Sequence, residues 1–262
     1  MFGATAIPRT TMTISSDPSW FVPDWPTPPS VCCLATTRLG GLSRGQYASF
    51  NLGDHVGDDP LVVAANRAKV AAQVRSDPVW LRQVHGTRVI NAAEYLSPAL
   101  PPEADAAFSR QAGVGCTVMT ADCLPVLLCD EAGTVVAAVH AGWRGLLDGV
   151  LEATISAMGV PGEKLLAWLG PAIGPRAFEV GDEVRRAFVT ASVAATSAFQ
   201  PTISGKWLAD IYALARQRLA GRGVLRVFGG NLCTASDGER FFSYRRDGQT
   251  GRMATMIWLE ES

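Results

Sequence analysis

A chain of 262 residues, 48% of them hydrophobic and with a formal net charge of −1, is long enough to bury a sizeable core without disulfide or metal staples. Its lysines and arginines are scattered, which argues against a dedicated nucleic-acid or membrane-surface binder, because such proteins draw affinity from clustered positive charge. The expectation left is a small-molecule substrate, with no nucleic acid and no membrane as partner.

Residues 1–30 are rich in Pro, Ser and Thr and show no sustained period, so they read as an irregular N-terminal segment with one short strand near Trp20. The start lacks the basic-then-apolar order of a secretory signal, and no stretch is apolar for long enough to cross a bilayer. Six cysteines without a Cys-x-x-Cys pair then predict a cytoplasmic setting in which thiols stay free. Residues 31–37 form a buried strand that places Cys32 and Cys33 on opposite faces, and a Gly40-Gly41 turn ends it. Asp59-Pro60 opens an amphipathic helix over residues 61–74. A strand follows near residues 79–81.

Three strands come in quick succession at residues 115–119, 124–129 and 134–139, the last two joined by a hairpin-like Asp130-Glu131-Ala132-Gly133 link. Pro125 predicts an edge position or an irregular start for its strand. Beyond His140 the chain turns through Gly142 into a helix over residues 144–158. A strand at 165–169 and helices at 182–191 and 206–221 follow. Closing strands are expected at 224–228, 239–243 and 253–259. Runs of strands with helices outside them and little strict alternation predict an α+β fold in one domain, residues 31–262.

Histidine use is concentrated. The chain holds three histidines. His85 lies in Gln83-Val84-His85-Gly86 and His140 in His140-Ala141-Gly142-Trp143-Arg144-Gly145, with Cys123 between them in Thr120-Ala121-Asp122-Cys123-Leu124-Pro125. Two imidazoles and a thiol suit a three-ligand zinc site with an open fourth position. The same groups suit a cysteine nucleophile with a histidine base, and the sequence leaves both open. Taken singly, a buried histidine with a backbone partner and an inert buried thiol are the ordinary alternatives. Three histidines are too few for a laccase with type 1 and trinuclear copper centres. The glycine pairs Gly40-Gly41 and Gly229-Gly230 fit neither a dinucleotide nor a P-loop spacing. Among the arginines, Arg144 stands out for its place in the His140 segment. Trp143, Phe241, Phe242 and Tyr244 are flat enough to stack on a base.

Together, Thr37-Arg38-Leu39-Gly40-Gly41-Leu42-Ser43, Asn51-Leu52-Gly53-Asp54-His55-Val56-Gly57-Asp58, the three segments above, Gly170-Pro171-Ala172-Ile173-Gly174, Asn231-Leu232-Cys233-Thr234 and Phe242-Ser243-Tyr244-Arg245-Arg246-Asp247-Gly248 form an ordered series. The series closely resembles the YfiH family, also called the laccase-domain or polyphenol-oxidase family. The resemblance implies a single-domain layered sandwich of mixed β-sheets flanked by helices, akin to cysteine hydrolases. It also implies a zinc site on His85, Cys123 and His140. The activities implied are phosphorolysis of purine nucleosides and methylthioadenosine and deamination of adenosine. Copper-dependent polyphenol oxidation and an editing role on peptidoglycan precursors are also attached to such proteins. Arg38 and Arg144 are the expected phosphate contacts, and Asn51 the expected polar contact to sugar or base.

Overall fold

In the computed structural model, which describes residues 17–96 and 100–260, strand β1 (Trp20–Phe21) pairs antiparallel with β2 (Val31–Thr36). The link between them is docked: Trp25 is buried and donates its indole N–H to Cys33 Sγ at 3.3 Å. Residues 1–16 of the segment expected to be irregular lie outside the described residues. Asp59 caps α1 (Pro60–Gln73) by accepting from the Leu61 N–H, and Pro60 sits where its missing N–H costs nothing. Then come β3 (Asp77–Val79), β4 (Val89–Asn91), β5 (Ala106–Ser109), β6 (Val114–Thr120), β7 (Leu124–Asp130) and β8 (Val136–Ala141). No strand was expected at β4 or β5, which are too short to show a period.

The single helix expected over residues 144–158 is two, α2 (Trp143–Asp148) and α3 (Val150–Met158), because Gly149 between them adopts φ +101°. Next are β9 (Leu165–Leu169), β10 (Glu179–Val180), α4 (Asp182–Ala191), β11 (Phe199–Pro201), β12 (Trp207–Ala209) and α5 (Ile211–Ala220). The helix expected from residue 206 therefore starts late. Residues 207–209 are claimed by pairing between β10 and β11, and Asp210 caps α5 by accepting from the Ala213 N–H. After β13 (Arg226–Gly229) and α6 (Tyr244–Asp247), the chain closes with β14 (Met253–Leu259). The strand expected at 239–243 does not form. Phe241 and Phe242 are both fully buried in one cluster with Ala121 and Met253, whereas neighbours on a strand would face opposite ways.

Two large sheets stack face to face. One runs β1-β2-β14-β6-β3 and the other β13-β9-β7-β8-β5-β4, both mixed; β10-β12-β11 form a small third sheet. Cys33, Cys116, Val118 and Ile257 of the first sheet meet Leu127, Cys129, Ala138 and Trp168 of the second in a shared core. The far face of the six-stranded sheet, with Leu124, Val126, Leu128, Val139 and Leu169, packs on α2 to α5. The far face of the five-stranded sheet packs on α1 through Val70 and on Phe50 and Leu52. The result is an α+β sandwich of four layers, helix, sheet, sheet and helix.

This layering explains why β7 and β8 are apolar on both faces: each lies between another sheet and a helical layer. It also overturns the edge position expected for Pro125, since β7 is interior to its sheet. The Pro125 carbonyl accepts from Gly170 N, so its ring nitrogen faces the same neighbour, at the point where β9 has ended and no ladder bond is lost.

Candidate metal centre and active site

Strand register makes the centre. In the antiparallel β7–β8 pair, Pro125 lies opposite His140 and Leu124 opposite Ala141. Cys123, one residue before β7, is thereby delivered beside the end of β8. On the other side of β8, Ala106 pairs with Val139, which sets Asp105 beside His140. The His140 N–H donates to the Asp105 carbonyl at 2.7 Å, and its Nδ1 lies 2.8 Å from Asp105 Oδ1. A carboxylate only accepts, so Nδ1 carries the proton and Nε2 is left for the centre.

Asp105 is fully buried, and its carboxylate also accepts the backbone N–H groups of Val84, His85 and Gly86. These bonds hold His85 at φ +62°, a left-handed conformation that few residues other than glycine adopt. Gln83 braces the same turn by bonding both the N–H and the carbonyl of Met119. One carboxylate thus places both histidines. Their rings meet edge to face, 4.7 Å apart.

The Cys123 turn is tied equally tightly. Asp122, at φ +101°, accepts from Thr234 Oγ1 at 2.6 Å and from Arg245 N at 2.6 Å, and its carbonyl accepts from Ile173 N. Gly142 is required on steric grounds: a Cβ there would lie 2.7 Å from His85 Cδ2 and 3.2 Å from Cys123 Sγ.

One donor atom each of His85, Cys123 and His140 lies within 4.8 Å of the others, and Cys123 Sγ is 3.7 Å from His85 Nε2. That last spacing matches two ligands on a tetrahedral ion with bonds of about 2.0–2.3 Å. The electrostatics agree. Burial alone would push the Cys123 thiol up, but the charge and hydrogen bond of His140, followed by those of His85, hold it well below the usual thiol range. Burial would likewise push His140 down, and the Cys123 thiolate and Asp105 raise it instead. For Asp105, burial is outweighed by His140 and the backbone donors, so it stays an anion. A thiolate, a carboxylate-oriented imidazole and a second imidazole are a fitting ligand set for zinc, and a carboxylate bonded to the far nitrogen of a ligating histidine, as Asp105 is to His140 Nδ1, is usual at such sites.

The trio opens on a cavity of about 410 Å³, within the usual size range for small-molecule sites. Its walls include Trp143, Phe178 and Tyr244 as flat apolar faces and Arg144, Arg245 and Arg252 as cations. Arg38 and Asn51, expected as substrate contacts, do not line it. Arg38 bonds the carbonyls of Ala48 and Gly238 and lies over the Phe242 ring, while Asn51 is fully buried and bonds Gly53, Asp58 and the Arg252 N–H. His55, the histidine outside the trio, does line the cavity, with Asp54 beside its ring at 3.4 Å. Sequence reasoning missed Asp105. Its one signal was a carboxylate set in the apolar run Ala104-Asp105-Ala106-Ala107, where an unpaired charge would be costly.

Residues 32–260 match the family described as multi-copper polyphenol oxidoreductase laccase. A Pseudomonas aeruginosa protein named purine nucleoside phosphorylase is 55% identical over 244 residues, 93% of this chain and 99% of its own length. The Escherichia coli purine nucleoside phosphorylase YfiH is 55% identical over 240 residues, 91% of this chain and 98% of its own. Among solved structures, a Neisseria meningitidis protein superposes with a TM-score of 0.90 at 54% identity, covering 93% of this chain and 100% of its own. YlmD from Geobacillus stearothermophilus gives 0.82 at 29% identity, covering 93% and 97%. A sandwich shared along nearly its whole length, and sequence identity above one half, make this chain a member of the YfiH family, the one described as multi-copper polyphenol oxidoreductase laccase.

Proposed function

We propose that this protein is a zinc-dependent purine nucleoside enzyme. It cleaves adenosine, inosine, guanosine and methylthioadenosine with phosphate, and it also deaminates adenosine. The observation that carries the reading is the His85–Cys123–His140 donor set, open to a cavity with both aromatic and guanidinium walls. The names of the relatives point the same way. The multi-copper part of the family description finds no support in the donors, because three histidines cannot fill the several copper centres of a laccase. A single copper ion in the Cys/His site remains compatible with the ligand types.

His85, Cys123 and His140 would hold the zinc, which when bound supplies a Lewis acid and a water of lowered pKa suited to replacing the purine 6-amino group. Asp105 fixes the His140 tautomer and orientation. Trp143, Phe178 and Tyr244 offer faces for the purine. In phosphorolysis, a phosphate oxygen forms a bond to C1′ as the C1′–N9 bond breaks. The bonding pair leaves with the purine, which ends with the proton that phosphate brought. The guanidinium groups of the cavity neutralise the incoming anion. Zinc-loaded protein given inosine and phosphate is expected to release hypoxanthine and ribose 1-phosphate, and Cys123→Ala to release neither. Absence of hypoxanthine at full zinc occupancy overturns the proposal.

One arrangement favours a second reading. His140 Nδ1 lies 2.8 Å from Asp105 Oδ1, and a donor atom of His140 lies within 4.8 Å of Cys123 Sγ, an order that orienting acid, base and thiolate take in cysteine hydrolases. That reading requires activity that survives a chelator, and a covalent adduct on Cys123. Capture of a peptidoglycan precursor without turnover would instead give binding and no product.

A further inference from the structure

Three arginines line the cavity, and among the described residues none of them is in an ion pair. Arg38, Arg67, Arg82, Arg186, Arg218, Arg226, Arg240 and Arg246 each lie within ion-pair distance of a carboxylate. Among the described residues, no carboxylate stands at that distance from Arg144, Arg245 or Arg252. Asp122, the acid that lines the same cavity, has its two oxygens committed to Thr234 and to the Arg245 N–H. The cavity therefore gathers three guanidinium groups, none of them in a direct ion pair, with Asp122 and Cys123 as the anionic groups on the same wall.

Arg252 is the most firmly built of the three. Its backbone N–H donates to Asn51 Oδ1, and its Nη1 donates to the carbonyls of Thr250 and Gly251. Its stem runs over Gly53, where a Cβ would come within 2.8 Å of Arg252 Cγ. Burial pushes its pKa down, countered by the nearby Cys123 and Asp122. With Nη1 spent on the backbone, Nε and Nη2 have no hydrogen-bond partner among the described residues. Arg245 is held at one end by the Glu179 carbonyl and lies 5.7 Å from the Phe178 ring centroid, with its Nε and Nη2 likewise unpartnered. Arg144, exposed, stacks on Trp143 at 4.4 Å.

We infer that Arg252 and Arg245 form the subsite for the phosphate co-substrate, with Arg144 completing it from the solvent side, and that Asn51 is a positioning residue acting through Arg252. The inference rests on the phosphorolytic reading above and names its anion site. A forked guanidinium with free donors matches the oxygen spacing of a phosphate dianion. Asn51, fully buried, touches no cavity space but anchors the backbone on both sides of the Arg252 stem.

The test uses zinc-loaded full-length protein and two readouts: calorimetric binding of inorganic phosphate, and the phosphate KM for inosine cleavage. Arg252→Gln and Arg245→Gln are each expected to weaken phosphate by about tenfold or more, the scale of a lost charged hydrogen bond. Inosine affinity should stay within about twofold of the parent, Arg252→Lys should recover part of the loss, and zinc content and melting temperature should stay at the parent level. Asn51→Ala should raise the phosphate KM far more than it changes the inosine KM or the zinc content. Unchanged phosphate affinity in both glutamine variants overturns the inference. So does a nucleoside 5′-monophosphate that binds the parent tightly and is not displaced by phosphate, because the subsite would then hold a substrate phosphate. Phosphate binding without any inosine cleavage sinks the phosphorolytic reading and leaves the anion subsite standing. Cleavage with an unaltered phosphate KM in the variants does the reverse.

Discussion

His140 and the turn carrying His85 share one carboxylate, so changing Asp105 acts on two of the three proposed metal ligands at once. Asp105→Asn keeps the shape and removes the charge. Loss of such a partner commonly lowers metal affinity by about 10–100-fold, and that is the fall expected when zinc is titrated against a competing chelator. An unchanged affinity would mean that Asp105 merely fills space. Gly142 bears on the same atoms from the opposite side. Gly142→Ala would drive a methyl group into His85 and Cys123, so zinc affinity should drop while the melting temperature of the metal-free protein moves little. Residue chemistry was the part most legible in the sequence, since imidazole and thiolate are recognisable donors wherever they occur. The supporting residues were not. Asp105, Asp122 and Arg252 are ordinary residue types whose roles depend on what folding sets beside them.

At the scale of elements, Gly149 separates α2 from α3 by adopting a left-handed conformation. A Cβ at that position would find its nearest neighbours at 3.5 Å, ordinary contact distance, so any cost of Gly149→Ala is a backbone cost. About 1–2 kcal/mol of stability should be lost, as measured by urea unfolding. The β7–β8 hairpin offers a test in pH. Asp130 is buried, which by itself would raise its carboxyl pKa, but Thr134 and the N–H groups of Thr134 and Val135 outweigh that and hold it below its ordinary value of 3.8. A folded-state pKa held below the unfolded one stabilises fully above the unfolded value and loses that contribution as pH falls through the folded value. Asp130→Ala should therefore cost about 1–3 kcal/mol at neutral pH, and the gap to the parent should narrow below about pH 4. A gap independent of pH would rule out the carboxylate as its source. Elements with a long period or a firm stop, such as α1 and β14, could be read from the chain. Short strands such as β5 and β12 could not, because three or four residues carry no period, and β5 in addition pairs with β8 far along the chain.

For the whole molecule, the shared core between the sheets is separable from the site. Leu127 is fully buried there and faces away from the helical layer. Leu127→Ala should destabilise by about 2–5 kcal/mol in denaturant titration while leaving zinc affinity within about twofold. A large loss of zinc affinity would show that the core and the centre are coupled. The sequence by itself determined the donor types, the α+β class and the family resemblance, because side-chain chemistry and apolar periodicity are local properties. Only the tertiary structure decided that Asp105 serves both histidines, that His55 joins their cavity, and that Arg252 lines it while Arg38 does not. The first follows from strand register across residues far apart in the chain, and the others from segments outside the strands that only tertiary packing brings to or keeps from the cavity; no local pattern encodes either.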